Sequence, residues 1–307
     1  MTQFSERGGE TMNGINTRQE KVTIVIAHII MILLAVLAIA PFWLLVSSSL
    51  QEESSILEEG YSFLPKHMST AAYSYIGKEW AQIGRAYLVT IITTVVGTAL
   101  SLILVSMTSY ALSIKGLPGG TVIFILIVFT MLFNGGAVAT YITYSNVLDV
   151  RDTIFALIIP NLLLNGFNVM LVRSYVSNSI PAELQEAAMI DGAGLFRIYW
   201  KIVLPLSVPI LATVGLLTAL GYWNDWVNGL YFISNPKLNS IQLLLNNINN
   251  SAQFLASHSE LKIPRDEIPT VGIRMAISVI AILPILIIYP FFQKYFVGGI
   301  TLGAVKG

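Results

Sequence analysis

Long, uninterrupted apolar runs constrain this chain more than any other feature of its sequence. The first run reaches from Val22 to Leu50, and His28 is its only ionisable residue. Roughly 20 consecutive apolar residues are enough to cross the hydrocarbon core of a bilayer as a helix. A backbone inside lipid must satisfy its own hydrogen bonds, so a chain built from such runs folds as a bundle of helices. The sequence therefore predicts an all-α membrane protein.

The composition excludes several other classes of protein. Hydrophobic residues make up 55% of the 307 residues and charged residues only 11%, whereas a soluble domain carries about 25% charged residues. A formal net charge of zero, without a basic cluster, argues against a nucleic-acid partner. The chain contains no cysteine, which excludes disulfides and thiolate metal sites. Membrane lipid is the expected surrounding.

The apolar blocks predict six transmembrane spans. They lie at about Val22–Leu50, Arg85–Ile114, Thr121–Phe133, Thr153–Val172, Leu206–Phe232 and Thr270–Phe292. A cleaved signal peptide is the alternative for the first block, because Ala38-Ile39-Ala40 resembles a cleavage site. The apolar core of a signal peptide is only about 7–15 residues long, and this run continues well past Ala40. We interpret it as an uncleaved span.

The distribution of basic residues predicts the orientation. With the N-terminus inside, the short inner segments hold more Lys and Arg per residue of loop than the long outer ones, as expected for cytoplasmic loops. This predicts a multi-pass protein of a prokaryotic plasma membrane with both termini in the cytoplasm. Its parts are a tail at 1–21, a first span at 22–50, an extracellular loop at 51–84, a transmembrane core at 85–296 and a C-terminal tail at 297–307.

Residues 183–205 are the longest polar-containing segment between two strongly apolar blocks in the second half of the chain. Pro181 suits the first turn of a helix, and Asp191-Gly192 predicts its end, because Gly adopts the left-handed conformation that closes helices. The apolar residues of this first helix share one face: Leu184, Ala187 and Ala188. A second helical run follows, until Pro205 bends it into the next block. Its apolar side holds Leu195, Ile198, Ile202 and Val203.

The same segment carries a family resemblance. Glu186-Ala187-Ala188, then Gly192, and then Ile202, Leu204 and Pro205 resemble the EAA loop of importer-type ABC permeases. Residues 180–193 are similar to the sugar-importer branch, whose permeases are like those of the maltose system. In that family the loop is a cytoplasmic coupling helix that sits in a cleft of the ATP-hydrolysing subunit. The resemblance assigns ATPase coupling to Glu186, Ala187, Ala188, Asp191, Gly192, Leu204 and Pro205.

The resemblance also implies the partners and the fold. The fold is a type I ABC importer transmembrane domain. The complex contains a second homologous permease, two ATP-binding cassette subunits and an extracellular solute-binding protein, and it imports an oligosaccharide or another carbohydrate by alternating access. The sequence contains no G-x-x-x-x-G-K-[ST] loop to cradle phosphates. We therefore expect no cofactor in this chain, with ATP and Mg bound by the partner subunits.

A second informative stretch is Gly221–Phe232. Aromatic faces stack on sugar rings and Asn or Asp groups hydrogen-bond hydroxyls, so its composition suits a substrate path. It also resembles the corresponding segment of sugar permeases. The candidate residues are Tyr222, Trp223, Asn224, Asp225, Trp226 and Asn228. The alternative, an aromatic belt at the membrane interface, is equally compatible with the sequence.

Ionisable and amide side chains inside apolar blocks are further candidates. His28 and Arg274 lie near span ends, and Asp225 is the strongest of the three ionisable candidates. Asn161, Asn165 and Asn168 recur at helical spacing, which predicts one polar helix face in the fourth span. That face fits either a hydrogen-bonded seam between helices or a wet cavity.

Enzymatic chemistry is poorly supported. No H-E-x-x-H, no paired intramembrane carboxylates and no Ser/His/Asp set is present, so we expect neither catalytic nor metal-binding residues. An importer of a non-sugar solute remains an alternative. A secondary transporter is a weaker one, because spans one to three and four to six show none of the internal symmetry of that class.

Overall fold

The computed structural model describes residues 18–160, 162–257 and 270–304. Within these ranges the chain is helical and contains no named strand, only an isolated antiparallel bridge between Gln51 and Met68. The helices before residue 180 are α1 (Arg18–Ser49), α2 (Glu53–Glu59), α3 (Ala71–Lys78), α4 (Trp80–Ser113), α5 (Gly120–Leu132), α6 (Gly136–Ile142), α7 (Phe155–Ile158) and α8 (Gly166–Ser179). A π-helical turn, Thr143–Val147, extends α6. The all-α prediction is confirmed for the described residues.

The remaining helices follow the loop after α8. They are α9 (Ala182–Ile190), α10 (Leu195–Ile198), α11 (Leu204–Leu206), α12 (Val208–Trp223), α13 (Val227–Phe232), α14 (Ile241–Ser257) and α15 (Thr270–Ala304). A π-helical turn at Tyr199–Val203 joins α10 to α11, and a 3-10 turn at Pro236–Leu238 precedes α14. The helix predicted to end near Phe292 thus continues into the segment predicted as a tail.

Three of the described helices are long and apolar enough to cross a membrane. They cover Lys21–Ser49, Trp80–Ser113 and Val271–Ile288. A fourth crossing is possible if Leu195–Leu206 and Val208–Trp223, which meet at 78°, count as one span. With 13 residues, α5 is only about 20 Å long, shorter than the roughly 30 Å of a hydrocarbon core. Six crossings therefore remain a prediction.

Helix α4 is the central element of the bundle, and it packs against α8 and α12. Small buried residues recur on its contact face at intervals of three and four: Thr90, Thr93, Gly97, Ser101 and Val105. Small side chains let helix backbones approach closely, which favours association inside a bilayer. The C-terminal part of α4 joins α8, the 195–206 segment and α12 in one apolar core cluster. Its first turns join α3, α14 and α15 in a second cluster.

Helix α1 lies at the side of the bundle and packs against α15. Almost all of its apolar side chains are exposed within the chain, from Val22 to Ile39. An apolar helix of this kind is compatible with lipid or with another transmembrane subunit as its neighbour. Pro41 lies inside α1, and Pro284 and Pro290 lie inside α15, an arrangement that helices in membranes tolerate.

The predicted fourth segment, Thr153–Val172, is not one continuous helix. α7 ends at Ile158, and α8 begins only at Gly166. Pro160 has no N–H to donate to a helical ladder. Asn165 starts the new helix, because its side chain accepts the N–H groups of Phe167 and Asn168. The predicted polar face is therefore wrong: Asn165 is a helix cap, and Asn161 lies outside the described residues.

Side chains from three other helices satisfy the backbone where the fourth segment is broken. The Tyr222 hydroxyl donates to the carbonyl of Ile158 at 2.8 Å, and Asn228 Nδ2 donates to that of Pro160 at 3.1 Å. Ser101 Oγ, on α4, lies 3.5 Å from the carbonyl of Leu162. Non-helical backbone at membrane depth is tolerated where protein buries it and supplies such partners. The bundle thus supplies the hydrogen-bond donors that this break requires.

Candidate functional site

The turn between α9 and α10 has the geometry that the sequence predicts. Asp191 follows the last residue of α9, and Gly192 adopts φ +77°. The N–H of Ala193 donates to the carbonyl of Ala188 at 2.9 Å, and that of Asp191 to Ala187 at 3.0 Å. These bonds close the helix in the manner of a left-handed glycine cap. A residue with a Cβ would be strained at position 192.

Helix α9 has little contact with the rest of the chain. Glu186 and Ala187 are exposed, and so is Asp191 at its end. Ala188 is partly buried and packs against the first core cluster. The large apolar side chains of the helix point outward, with Ile190 87% exposed and Leu184 and Met189 about half exposed. Exposed large apolar side chains on a short surface helix are compatible with contact to another protein or to the membrane.

The segment after the turn, unlike α9, is buried against the rest of the chain. Ile198, Tyr199 and Val203 are buried in the first core cluster, and Leu204 packs against it while Pro205 is exposed. The Tyr199 hydroxyl and Ser106 Oγ, on α4, are 2.7 Å apart. The segment that follows α9 is therefore held against α4.

Two details of the second helical run differ from the prediction. Leu195 is 49% exposed, and Tyr199 lies in the core in its place. Leu195 lies at the first position of α10, before the π-helical turn at Tyr199–Val203. The bend into α12 falls at Ser207 and not at Pro205. Pro209 occupies the first turn of α12, where a proline is tolerated.

The six residues of the predicted substrate path do not lie on one surface. Tyr222, Trp223 and Asn228 are buried. Besides the bonds of Tyr222 and Asn228 at the helix break, Trp223 Nε1 donates to the carbonyl of Ala281 on α15 at 3.1 Å. The polar atoms of these three side chains are thus engaged inside the chain. A role in substrate contact for them remains a prediction.

The other three residues lie in the break between α12 and α13. Asp225 Oδ1 accepts the N–H of Asn228 at 3.1 Å, while its Oδ2 is buried and has no partner among the described residues. Asn224 and Trp226 are exposed. The Gln242 side chain donates to Asn224 Oδ1 across 3.4 Å. These contacts link the break to α14.

A cavity of about 320 Å³ opens beside Trp226. Its walls come from α14, α15 and the break before α13, and its lining residues are Trp226, Gln242, Leu245, Asn246, Asn249, Arg274, Met275 and Ser278. Arg274, noted in the sequence as a residue near a span end, lines this cavity. His28, by contrast, is exposed, with Nδ1 lying 2.7 Å from the carbonyl of Ile24.

The polar residues of α14 were missed in the sequence, where they fell into a polar loop. The signal was present, because Gln242, Asn246 and Asn249 recur at intervals of four and three. That spacing is typical of one polar face on an amphipathic helix. Asn168, in turn, donates from Nδ2 to Thr218 Oγ1 at 3.2 Å, so it takes part in a hydrogen bond between α8 and α12.

Residues 98–301 match the protein family described as binding-protein-dependent transport system inner membrane component. The matched range includes the second half of α4, residues 183–205 and the break at 224–226. The chain belongs to this family. As an inner-membrane component it is a multi-pass membrane protein, and its family consists of permease subunits, which are not themselves enzymes.

Individual relatives of this family member cover nearly its whole length. Protein LplC of Bacillus subtilis (strain 168) is 34% identical over 88% of this chain and 90% of its own. The polygalacturonan/rhamnogalacturonan transport system permease protein YtcP of the same organism is 34% identical over 90% of this chain and 96% of its own. A solved structure of a bacterial ABC transporter that imports the acidic polysaccharide alginate matches with a TM-score of 0.77 and 28% identity, covering 92% of this chain and 100% of that one.

Proposed function

We propose that this chain is a permease subunit of an ATP-driven, binding-protein-dependent importer of oligosaccharides. It works with a second homologous permease, two ATP-binding cassette subunits and an extracellular solute-binding protein. The observation that carries the proposal is the exposed α9 with its left-handed glycine turn, in a member of this transport family. Relatives named for the transport of polygalacturonan, arabinooligosaccharides and galactooligosaccharides support a carbohydrate substrate.

Six crossings with both termini in the cytoplasm are supported by the pairing of the loops. Segments assigned to the outside bond to one another: Asp152 accepts N–H groups from Ser234 and Asn235, and Glu53 accepts those at the start of α15. Segments assigned to the inside do likewise. Arg173 donates to the carbonyl of Leu112, and Tyr175 donates to that of Leu206. In this arrangement α9 faces the cytoplasm, where an ATPase can bind it.

The mechanism is alternating access driven from the coupling segment. Closure of the ATPase subunits displaces α9, whose exposed face binds them. The displacement passes through the anchored Ile198–Val203 segment to α4, because Tyr199 is hydrogen-bonded to Ser106 and packed in the core. Since α4 packs against α8 and α12, these helices move together. The motion opens the pathway to one side of the membrane at a time.

A comparison of two neighbouring glycines tests the coupling role. Gly192 has φ +77°, whereas Gly194 has φ −72°, and a Cβ would meet nothing within 4 Å at either position. Gly192→Val therefore strains the turn by roughly 1–2 kcal/mol, while Gly194→Val does not. We expect Gly192→Val to insert in the membrane but to lose most substrate-stimulated ATP hydrolysis in reconstituted complexes. Gly194→Val should behave like the wild type.

Glu186→Lys extends the test to the charge on the exposed face of α9. It should weaken co-purification of the ATPase subunit and lower the stimulated rate, whereas Glu58→Lys, an equal charge change on exposed α2, should not. The purified chain alone should hydrolyse no ATP. Wild-type stimulation in both Gly192→Val and Glu186→Lys would show that residues 183–205 are not the coupling element.

A further inference from the structure

Two residues that line the cavity beside Trp226 carry hydrogen-bond donors without a partner among the described residues. Arg274 Nη1 donates to Asn249 Oδ1 at 2.8 Å, which orients the guanidinium group. Arg274 Nε is buried and has no hydrogen-bond partner among the described residues, and the same is true of Asn246 Nδ2. A buried donor without an acceptor costs about 1–3 kcal/mol, and more when it is charged. Two such donors belong to residues that line one cavity.

The charge of the cavity is positive. Arg274 is the one ionisable residue in its lining, and the lining contains no Asp or Glu. Within the described ranges, the only ion pair is Lys66–Glu59, which involves no residue of the cavity. The nearby Asp225 does not line the cavity, and its Oδ1 is bonded to the N–H of Asn228. Within the described ranges, no carboxylate forms an ion pair with Arg274, so its guanidinium charge can attract an anion.

The chemistry of the lining selects among anions. A guanidinium group matches a carboxylate in its planar geometry as well as in charge. Trp226 is 40% exposed and provides an aromatic surface next to this charge, while Leu245 and Met275 add apolar surface. An aromatic face suits the ring of a sugar, and the amides of Gln242 and Asn246 suit its hydroxyl groups. The volume, about 320 Å³, lies at the lower end of the roughly 300–1,000 Å³ of ligand pockets.

We propose that this cavity binds the carboxylate of a uronate residue, so that the importer accepts acidic oligosaccharides. Arg274 and Asn246 are the specificity-determining donors, and Trp226 supports the sugar ring. This inference rests on the proposed function in carbohydrate import. It adds to that function the charge of the substrate and the residues that bind the charged group. In the proposed orientation the cavity opens near the outer side of the membrane, where the solute-binding protein delivers substrate.

The test uses the complete reconstituted transporter with its binding protein in proteoliposomes. ATP-driven uptake is measured for two panels of oligosaccharides of equal length, uronate-bearing (oligogalacturonates and oligomannuronates) and neutral (galactooligosaccharides and arabinooligosaccharides). Arg274→Gln should lower uptake of the acidic panel about tenfold or more, as expected for the loss of one charge-assisted hydrogen bond. Asn246→Ala should lower it by less. Arg274→Lys, which keeps the charge, should retain part of the acidic uptake.

The controls separate recognition from folding. Arg85→Gln removes the same charge from an exposed residue of α4 that does not line the cavity, and it should leave uptake of both panels unchanged. Arg274→Gln should still assemble with the partner subunits and should leave any neutral uptake intact. Equal losses for both panels, or failure to assemble, would assign Arg274 to structure or to a subunit interface and overturn the proposal.

Two other outcomes distinguish this inference from the proposed function. Uptake of neutral oligosaccharides alone would overturn the uronate site and leave carbohydrate import standing. Absence of ATP-driven uptake for every saccharide in both panels would contradict the proposed function itself.

Discussion

At the scale of single residues, Gly97 of α4 lies directly against the ring of Tyr222 of α12. A Cβ at position 97 would lie 2.5 Å from Tyr222 Cζ and 2.7 Å from two further ring carbons. Tyr222 cannot easily turn away, because its hydroxyl donates to the carbonyl of Ile158 at the helix break. Gly97 thus permits both the packing of α12 on α4 and the hydrogen bond that satisfies the broken segment.

Gly97→Ala should destabilise the chain for this reason. We expect a loss of about 1–3 kcal/mol from the free energy of unfolding, the usual cost of overpacking a core. Gly77→Ala is the matched control, because Gly77 also lies in a helix and a Cβ there meets nothing within 4 Å. Both substitutions raise the helix propensity, so the difference in stability between the two variants measures the contact with Tyr222. Thermal unfolding in detergent measures it, and equal melting temperatures for the two variants would show that Tyr222 yields without cost.

At the scale of elements, the start of α15 depends on a distant carboxylate. Glu53 Oε1 accepts the N–H of Val271, and Oε2 accepts that of Gly272, both at 2.9 Å. The first N–H groups of a helix have no partner within it, and negative charge at this end is favourable. Glu53 itself lies in the first turn of α2. The loop after α1 thereby positions the helix that carries Arg274.

Glu53→Ala should therefore loosen the first turn of α15. We expect a loss of about 0.5–2 kcal/mol, the range for removal of a helix cap. Hydrogen exchange resolved to residues 271–274 should show faster exchange in this variant, with little change in α4. Glu58→Ala removes an exposed carboxylate from the same short helix and should leave this region protected. Unchanged protection in Glu53→Ala would mean that packing alone holds the start of α15.

At the scale of the whole molecule, a second long-range contact joins the segment before α7 to the segment after α13. Asp152 accepts the N–H groups of Ser234 and Asn235, and its own N–H donates to the carbonyl of Phe232 at 3.0 Å. The backbone hydrogen bonds from Ser234 and then Asn235 lower the pKa of the Asp152 carboxyl, with Arg151 contributing less. Asp152 has φ +54°, which Asn tolerates better than most residues.

Asp152→Asn should make the stability of the molecule less dependent on pH. A carboxyl whose pKa is lowered by folding stabilises the protein above its unfolded pKa of about 3.9, and this contribution is lost as pH falls through the lower folded value. The variant should therefore melt below the wild type at neutral pH, and the difference should shrink between pH 5 and pH 3. Asp149→Asn, at the other left-handed aspartate of this loop, is the control. A difference that stays constant with pH would show that the charge of Asp152 does not stabilise the fold.

Across the whole molecule, the sequence alone determined what depends on local physics. Apolar runs longer than a bilayer is thick require helices, and the described residues form them. The end of α9 at Gly192 was predicted because only local backbone conformation decides it. Glu186 and Ala187, which are exposed, were predicted as candidates from a motif of residues close together in the sequence.

Only the tertiary structure decided the features that depend on distant partners. The break between α7 and α8 persists because Ser101, Tyr222 and Asn228 donate to backbone carbonyl groups beside it. No local sequence pattern can report partners that lie on three other helices. Tyr199 lies in the core, where its hydroxyl is hydrogen-bonded to Ser106 of α4. The cavity at Arg274 needs α14, α15 and Trp226 together. Helix periodicity indicates which residues share a face, but only packing between helices determines which face meets a neighbour.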